Sequence, residues 1–244
     1  MKIVTNIFGR VWAFWGLISF LTTFLIVFLP SMLAHTMKDP RGQRYFIAVS
    51  KIWMNVWLFL VGCPVKVSGT KNFKNNTAYV VVFNHNAFLD VPLSAPYVPG
   101  ANKTIAKDSF AKIPLFGSFY KRGSVLVNRN SEQSRRKSFD TMKKVLADGM
   151  HMCIYPEGTR NRSSELLKPF YDGAFKLAMA AERDIIPCVI IGTKKAMPIN
   201  KKFFLLPTRL RMHFLPPVSS KDINVKDLKE KVFNVMQKTY RENI

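Results

Sequence analysis

"AYVVVFNHNAFLD", residues 78–90, decides how this chain is read. Residues 78–83 are apolar, β-branched and aromatic, too short for a core helix and long enough for a buried strand. Asn84 and Asn86 are turn formers, and Pro92, just beyond, suits the first turn of a helix. The stretch therefore reads as strand, turn and helix, with His85 and Asp90 on either side of the turn. On one straight helix their spacing would leave the two side chains roughly 140° apart. Across a strand-to-helix turn they can meet.

The same alternation extends through the chain. Residues 64–69, 124–127, 152–156, 185–192 and 210–218 are further short apolar runs with strand character. Between them lie helical segments: residues 131–149, opened by Ser131 and closed by Gly149, and residues 173–184. Residues 225–244 read as an amphipathic closing helix. Strands alternating with helices predict an α/β layered fold from about residue 64 onward, with no internal repeat and no interdomain linker.

Composition narrows the partners. Lys and Arg number 37 against 15 Asp and Glu, a net charge of +22, so the partner surface is anionic. Hydrophobic residues make up 48% of the chain and 20 residues are Phe, which favours a membrane over nucleic acid. The three cysteines, Cys63, Cys153 and Cys188, are odd in number and widely spaced, arguing against a disulfide framework or a zinc site. They read as buried thiols in a reducing compartment.

Residues 11–29, "VWAFWGLISFLTTFLIVFL", carry no charge and approach the length of a bilayer span. The core is too long for a secretory signal and lacks a clear cleavage site. A second apolar stretch, residues 45–63, is interrupted by Lys51. The N-terminus, the linker "HTMKDPRGQR" at 35–44 and the residues after the second stretch are all basic. Basic flanks stay on the cytoplasmic side, so two crossing helices cannot satisfy all three. A helix pair lying in one leaflet does, with Trp12, Trp15, Trp53 and Trp57 available at the interface. Residues 1–63 are thus expected to form a membrane-embedded pair preceding the α/β domain at 64–244. The paired Lys and apolar residues of "KKFFLLP", 201–207, suit the headgroup boundary, or equally a core strand.

The other dense stretch is "YPEGTRNRSSELLKPFYDGAFKLA", residues 155–178. A strand runs out at Tyr155, and a polar loop presents Glu157, Thr159, Arg160 and Arg162. Open α/β sheets place ligands on such loops, and guanidinium forks there suit a phosphate.

Together, "NHNAFLD" and "PEGTRNRS" resemble the glycerolipid acyltransferase family, in particular its bacterial 1-acylglycerol-3-phosphate acyltransferases. The family's His and Asp separated by four residues match His85 and Asp90. Its Glu-Gly-Thr-Arg block matches Glu157, Gly158, Thr159 and Arg160. A further block ends in Asp-Arg, where this chain has Asn128 and Arg129; an apolar strand with an embedded proline matches Pro187, and the family's lysine matches Lys107.

The resemblance spans about residues 64–217. It implies a mixed, largely parallel sheet flanked by helices, catalysis by His85 and Asp90, and substrate binding by Lys107, Arg129, Glu157, Gly158, Thr159 and Arg160. The implied reaction moves an acyl chain from an acyl-CoA or acyl carrier protein thioester to lysophosphatidic acid, giving phosphatidic acid in phospholipid biosynthesis. It calls for no metal or redox cofactor and no nucleic acid. The implied location is the inner membrane, monotopic or integral, with the catalytic domain on the cytoplasmic side and against an anionic lipid surface.

The residues support that chemistry independently. Transfer to an alcohol needs a base for the hydroxyl proton and a group that orients it, roles for His85 and Asp90. No Gly-x-Ser-x-Gly elbow points to a serine hydrolase. Another lyso acceptor, or a non-catalytic basic tether, are the alternatives. Asp39 and His35 read as interfacial, His151 and His213 as structural, and Glu157 as a holder of Arg160 or of another loop residue.

Overall fold

The computed structural model describes residues 2–244. Its centre is the strand anticipated from the opening stretch, β2 (Val80–Phe83), which is buried on both faces. Because successive side chains of a strand point to opposite faces, Val80 and Val82 enter one hydrophobic core while Val81 and Phe83 enter the other. The result is a helix–sheet–helix sandwich.

Six further strands complete the sheet: β1 (Val65–Ser68), β3 (Asn102–Lys107), β4 (Ser124–Val127), β5 (His151–Ile154), β6 (Ile185–Ile191) and β7 (Leu210–Phe214). Their order is β1-β7-β6-β2-β5-β3-β4, and every pairing is parallel except β6 with β7. The sheet is thus mixed and largely parallel, as expected. β3 is the strand the sequence did not announce. Its residues "NKTIAK" alternate between buried positions and half-buried or exposed ones, and the two lysines dilute the apolar signal.

On one face lie α1 (Lys2–Met32), α2 (Arg41–Leu60), the short α3 (Asp90–Ser94) and α4 (Phe116–Gly123). On the other lie α5 (Glu132–Ala147), α6 (Gly173–Ala180) and α8 (Val225–Glu242), with α7 (Thr193–Ala196) a single turn after β6. The Ser131 hydroxyl accepts the Ser134 N–H as the N-cap of α5, and the chain leaves that helix through Gly149 at φ 77°. The closing helix α8 buries Leu228, Val232, Met236 and Tyr240, one per turn.

The inward stripe of α1 is small: Gly9, Ala13, Gly16 and Ser19 are buried. A Cβ at Gly9 would collide with the Phe204 ring, and one at Gly16 would lie 2.8 Å from Leu205. Small residues therefore let α1 approach α2 and the 203–207 segment closely. That segment is an irregular stretch, neither strand nor free rim: Phe204 and Leu205 are buried, Leu206 is half-buried, and Phe203 and Pro207 are exposed. The four indoles stitch the helix pair. Trp12 donates to the Val61 carbonyl at 2.9 Å, Trp15 to Leu60 at 2.9 Å, Trp57 to Gly16 at 3.0 Å and Trp53 to the Thr23 hydroxyl at 3.0 Å.

The α1–α2 linker is pinned to the sheet layer. Asp39 pairs with Arg122 at 2.6 Å and Lys103 at 3.1 Å. Burial opposes its ionisation, but these two cations outweigh burial and hold the carboxyl below its ordinary range. The single histidines away from the turn are structural: His151 accepts the Tyr79 N–H at 3.0 Å and burial pulls it down to about 4, while His213 meets the Ser68 hydroxyl. All three cysteines are buried and free.

Candidate active site

The strand β2 ends at Phe83, and Asn84 locks the turn to the neighbouring strand. Its amide donates to the Ile190 carbonyl at 2.9 Å and its oxygen accepts the Ile190 N–H at 2.7 Å. The chain then turns and α3 begins at Asp90. This is the geometry in which the two residues can meet: His85 Nδ1 lies 2.9 Å from Asp90 Oδ2.

Asp90 is fully buried. The same Oδ2 accepts the backbone N–H of Asn86 at 2.5 Å and of Ala87 at 2.7 Å, so the carboxylate shapes the turn as well as the ring. An acceptor-only carboxylate facing Nδ1 makes that nitrogen the protonated one. The basic lone pair then belongs to Nε2, which has no protein partner among the described residues. Beneath the ring, Tyr155 packs at 4.5 Å between centroids, and its hydroxyl sits 2.8 Å from the Asp90 carbonyl and 2.7 Å from the Ser94 hydroxyl. His85 itself keeps 16% of its side chain exposed, enough to reach a ligand.

The loop after β5 closes over this turn. Asn161 N–H donates to the His85 carbonyl at 2.7 Å. Glu157 is completely buried, and its two oxygens accept the His85 N–H at 2.8 Å and the Lys168 N–H at 3.1 Å. It therefore holds the backbone of the His85 turn and of its own loop, and it makes no bond to Arg160. Gly158 sits at φ 70° with the Tyr171 ring against it, so a side chain there would be strained and crowded. It serves through its carbonyl, which accepts from Arg129 Nη1.

An open cleft of about 720 Å³ lies above, lined by His85, Thr159, Arg160, Arg162, Ser163 and Lys168. Lys168 Nζ donates to the Thr159 hydroxyl at 2.7 Å, and the Arg160 guanidinium stacks 3.6 Å from the centre of the Phe88 ring. Three cations and no carboxylate line the cleft.

Of the residues expected to bind substrate, Thr159 and Arg160 line this cleft beside His85. Arg129 is one step removed, on the Gly158 carbonyl, and Lys107, exposed at the end of β3, does not line the cleft. Lys168 escaped the sequence reading because "LLKPF" resembles an ordinary solvated loop; its only signal was one more cation near Arg160 and Arg162.

Burial pushes Glu157 up to about 7, against the two N–H bonds that favour its ionised form, with the nearby Asp90 charge adding to the rise. An unfolded Glu titrates near 4.5, so between 4.5 and about 7 the folded chain holds a proton that the unfolded chain has released. The associated stability is complete below 4.5 and is lost as pH rises through about 7. Glu157→Gln is expected to flatten that limb of the melting-temperature profile; a mutant profile parallel to wild type would contradict the assignment.

Comparison with known proteins agrees with this architecture. The chain is 30% identical over 206 residues to a 1-acyl-sn-glycerol-3-phosphate acyltransferase of Chlamydomonas reinhardtii, covering 81% of this chain and 59% of that protein. It is 29% identical to the alpha 1-acyl-sn-glycerol-3-phosphate acyltransferase of Mus musculus, covering 75% of this chain and 66% of the other. It thus spans about three-fifths to two-thirds of these relatives' length. The crystal structure of the 1-acyl-sn-glycerophosphate acyltransferase of Thermotoga maritima superposes with a TM-score of 0.80, at 21% identity, over 99% of this chain and 97% of the other, which establishes a shared fold. The profile of the Acyltransferase family matches residues 64–191, just over half the chain and the stretch that carries both the His85 turn and the Glu157 loop, and the chain belongs to that family.

Proposed function

We propose that this chain transfers an acyl group from a thioester of coenzyme A or acyl carrier protein to the free hydroxyl of 1-acyl-sn-glycerol-3-phosphate, giving phosphatidic acid. The observation that carries this reading is the Asp90-held His85 at the edge of a cleft whose charged lining is wholly cationic. His85 Nε2 accepts the hydroxyl proton as the oxygen attacks the thioester carbonyl. The new C–O bond forms, the C–S bond breaks, and the leaving thiolate takes the proton back as a thiol. Asp90 fixes the tautomer and stabilises the imidazolium formed in between. No protein nucleophile is acylated.

Arg160, Arg162 and Lys168 suit the acceptor's phosphate, a ligand that needs several donors to offset up to two negative charges. The names of the relatives point to the same acceptor. Arg160→Ala is expected to raise the acceptor KM by roughly 10- to 100-fold, the loss of one charge-assisted bond, and the donor KM far less. Arg160→Lys restores only part, because the planar fork is gone. Equal effects on both substrates would place Arg160 elsewhere in the reaction.

The same proposal places the protein on the cytoplasmic face of the inner membrane. Among the described residues, one helix, Ile3–Thr36, is long and apolar enough to cross a bilayer. Beyond the exposed Arg10, its outward side chains from Val11 to Leu33 are uncharged and, apart from Thr22, apolar. Yet its other face meets the rest of the molecule from Gly9, against Phe204, to Phe24, against Phe116 and Phe119. A helix packed along that much of its length lies in one leaflet more readily than it crosses two. The exposed linker residue Lys38 tests this: Lys38→Cys is expected to be labelled from the cytoplasmic side only, and labelling from the opposite side in intact cells would overturn the monotopic reading. Gln43 is unsuited to such labelling, being buried with its amide on the Asn102 carbonyl.

A further inference from the structure

Beyond α2, eight large apolar side chains are exposed among the described residues: Phe88, Val91, Phe110, Ile113, Leu115 and Tyr171, besides Phe203 and Ile244. The first six follow the C-terminal ends of β2, β3 and β5, neighbouring parallel strands, and so lie on the edge of the sheet that carries the cleft. Exposed apolar side chains scatter on ordinary surfaces; this concentration at one edge calls for a covering.

The segment between β3 and α4 is the densest part. "DSFAKIPLFG", residues 108–117, exposes Phe110, Ile113 and Leu115 beside the exposed cations Lys107 and Lys112. Asp108 is the single acid. Leu115 adopts φ 60°, a conformation costly for a leucine, and still directs half of its side chain outward. The next residue is anchored to the helix pair. Phe116 packs on Phe24 of α1 at 5.8 Å, and Phe119 packs on Phe24 and on Trp53 of α2 at 5.7 and 5.3 Å. Leu21 and Leu25, flanking Phe24 in α1, are themselves exposed. The loop thus adjoins the apolar helix pair, and its cations complement an anionic surface.

We propose that the 108–115 loop dips into an anionic phospholipid leaflet beside α1, so that the molecule meets the membrane at two places and the mouth of the cleft is held at the headgroup plane. A lyso acceptor then presents its phosphate and hydroxyl to Arg160 and His85 while its acyl chain stays among the lipids. Apolar side chains flanked by lysines are the composition such a seat requires. The inference rests on the membrane reading above, but the label described next needs no catalysis, so insertion can fail while acyl transfer stands.

The test uses the full chain carrying Ile113→Cys labelled with an environment-sensitive fluorophore, the native thiols being buried. Vesicles of phosphatidylglycerol and phosphatidylethanolamine are expected to shift its emission to the blue, and brominated acyl chains in the same lipids to quench it. A label at Lys226→Cys on α8, in the opposite helix layer, is expected to do neither. Ile113→Glu/Leu115→Glu is expected to melt like the wild type and to lose about 10-fold or more of its rate on vesicle-borne lysophosphatidate. Its rate on a short-chain, monomeric lysophosphatidate is expected to be unchanged. An unshifted, unquenched label overturns the proposal, as does a double variant impaired equally on both forms of acceptor. A shift that appears without vesicles and grows with protein concentration would assign the loop to self-association instead.

Discussion

Replacing His85 with alanine is expected to lower turnover by roughly 10²–10⁴-fold, the usual worth of a general base, with little change in stability. The imidazole contributes one side-chain bond, to Asp90, and is partly solvent-facing, whereas the fold of the turn depends on Asn84, on the Asp90 oxygen and on Glu157. Turnover by a correctly folded His85→Ala protein at the wild-type rate would remove the base from the mechanism and leave the non-catalytic tether as the better reading.

Asp90→Asn carries the second large effect, on the order of 10³–10⁴-fold in turnover. An amide of the same shape keeps the turn only if its oxygen replaces Oδ2, which already accepts from His85, Asn86 and Ala87. In that pose the amide nitrogen is buried at the Oδ1 position, where no hydrogen-bond partner waits. In the flipped pose it faces two N–H groups and the protonated Nδ1. Either way the negative charge that stabilises the imidazolium is gone. Thermal melting separates the two costs: Asp90→Asn is expected to lose stability as well as rate, whereas His85→Ala loses chiefly rate. A variant with near-normal kcat would show that Asp90 only builds the turn.

Much of this arrangement was legible because short-range chemistry wrote it. The apolar run before "NHN" is buried on both faces and could only be a central strand, and the turn formers after it set the His85–Asp90 encounter. Capping residues likewise marked α5, and amphipathic periodicity marked α8. What escaped depended on tertiary context. β3 is a half-buried strand near the sheet edge, so its lysines are tolerated and its pattern is weak. Glu157 looked like a charged loop residue, yet it is fully buried because two backbone N–H groups, distant from each other in sequence, converge on it. The tryptophans suggested a headgroup belt by type alone; their N–H groups are consumed by α1–α2 contacts that no local pattern encodes. Lys107 matched by resemblance; at the end of β3 it is exposed beside the 108–115 loop and does not itself line the cleft.

The central claim is that the Asp90-held His85 drives acyl transfer to a phosphate-bearing lyso acceptor. It is tested most directly by giving the purified full-length protein lysophosphatidate and an acyl thioester, then measuring released thiol and lipid products together by mass spectrometry. The account predicts thiol and phosphatidate in equal amounts for the wild type, and both formed roughly 10²–10⁴-fold more slowly by His85→Ala. Thiol released without phosphatidate, or phosphatidate formed as fast by His85→Ala as by the wild type, would contradict it.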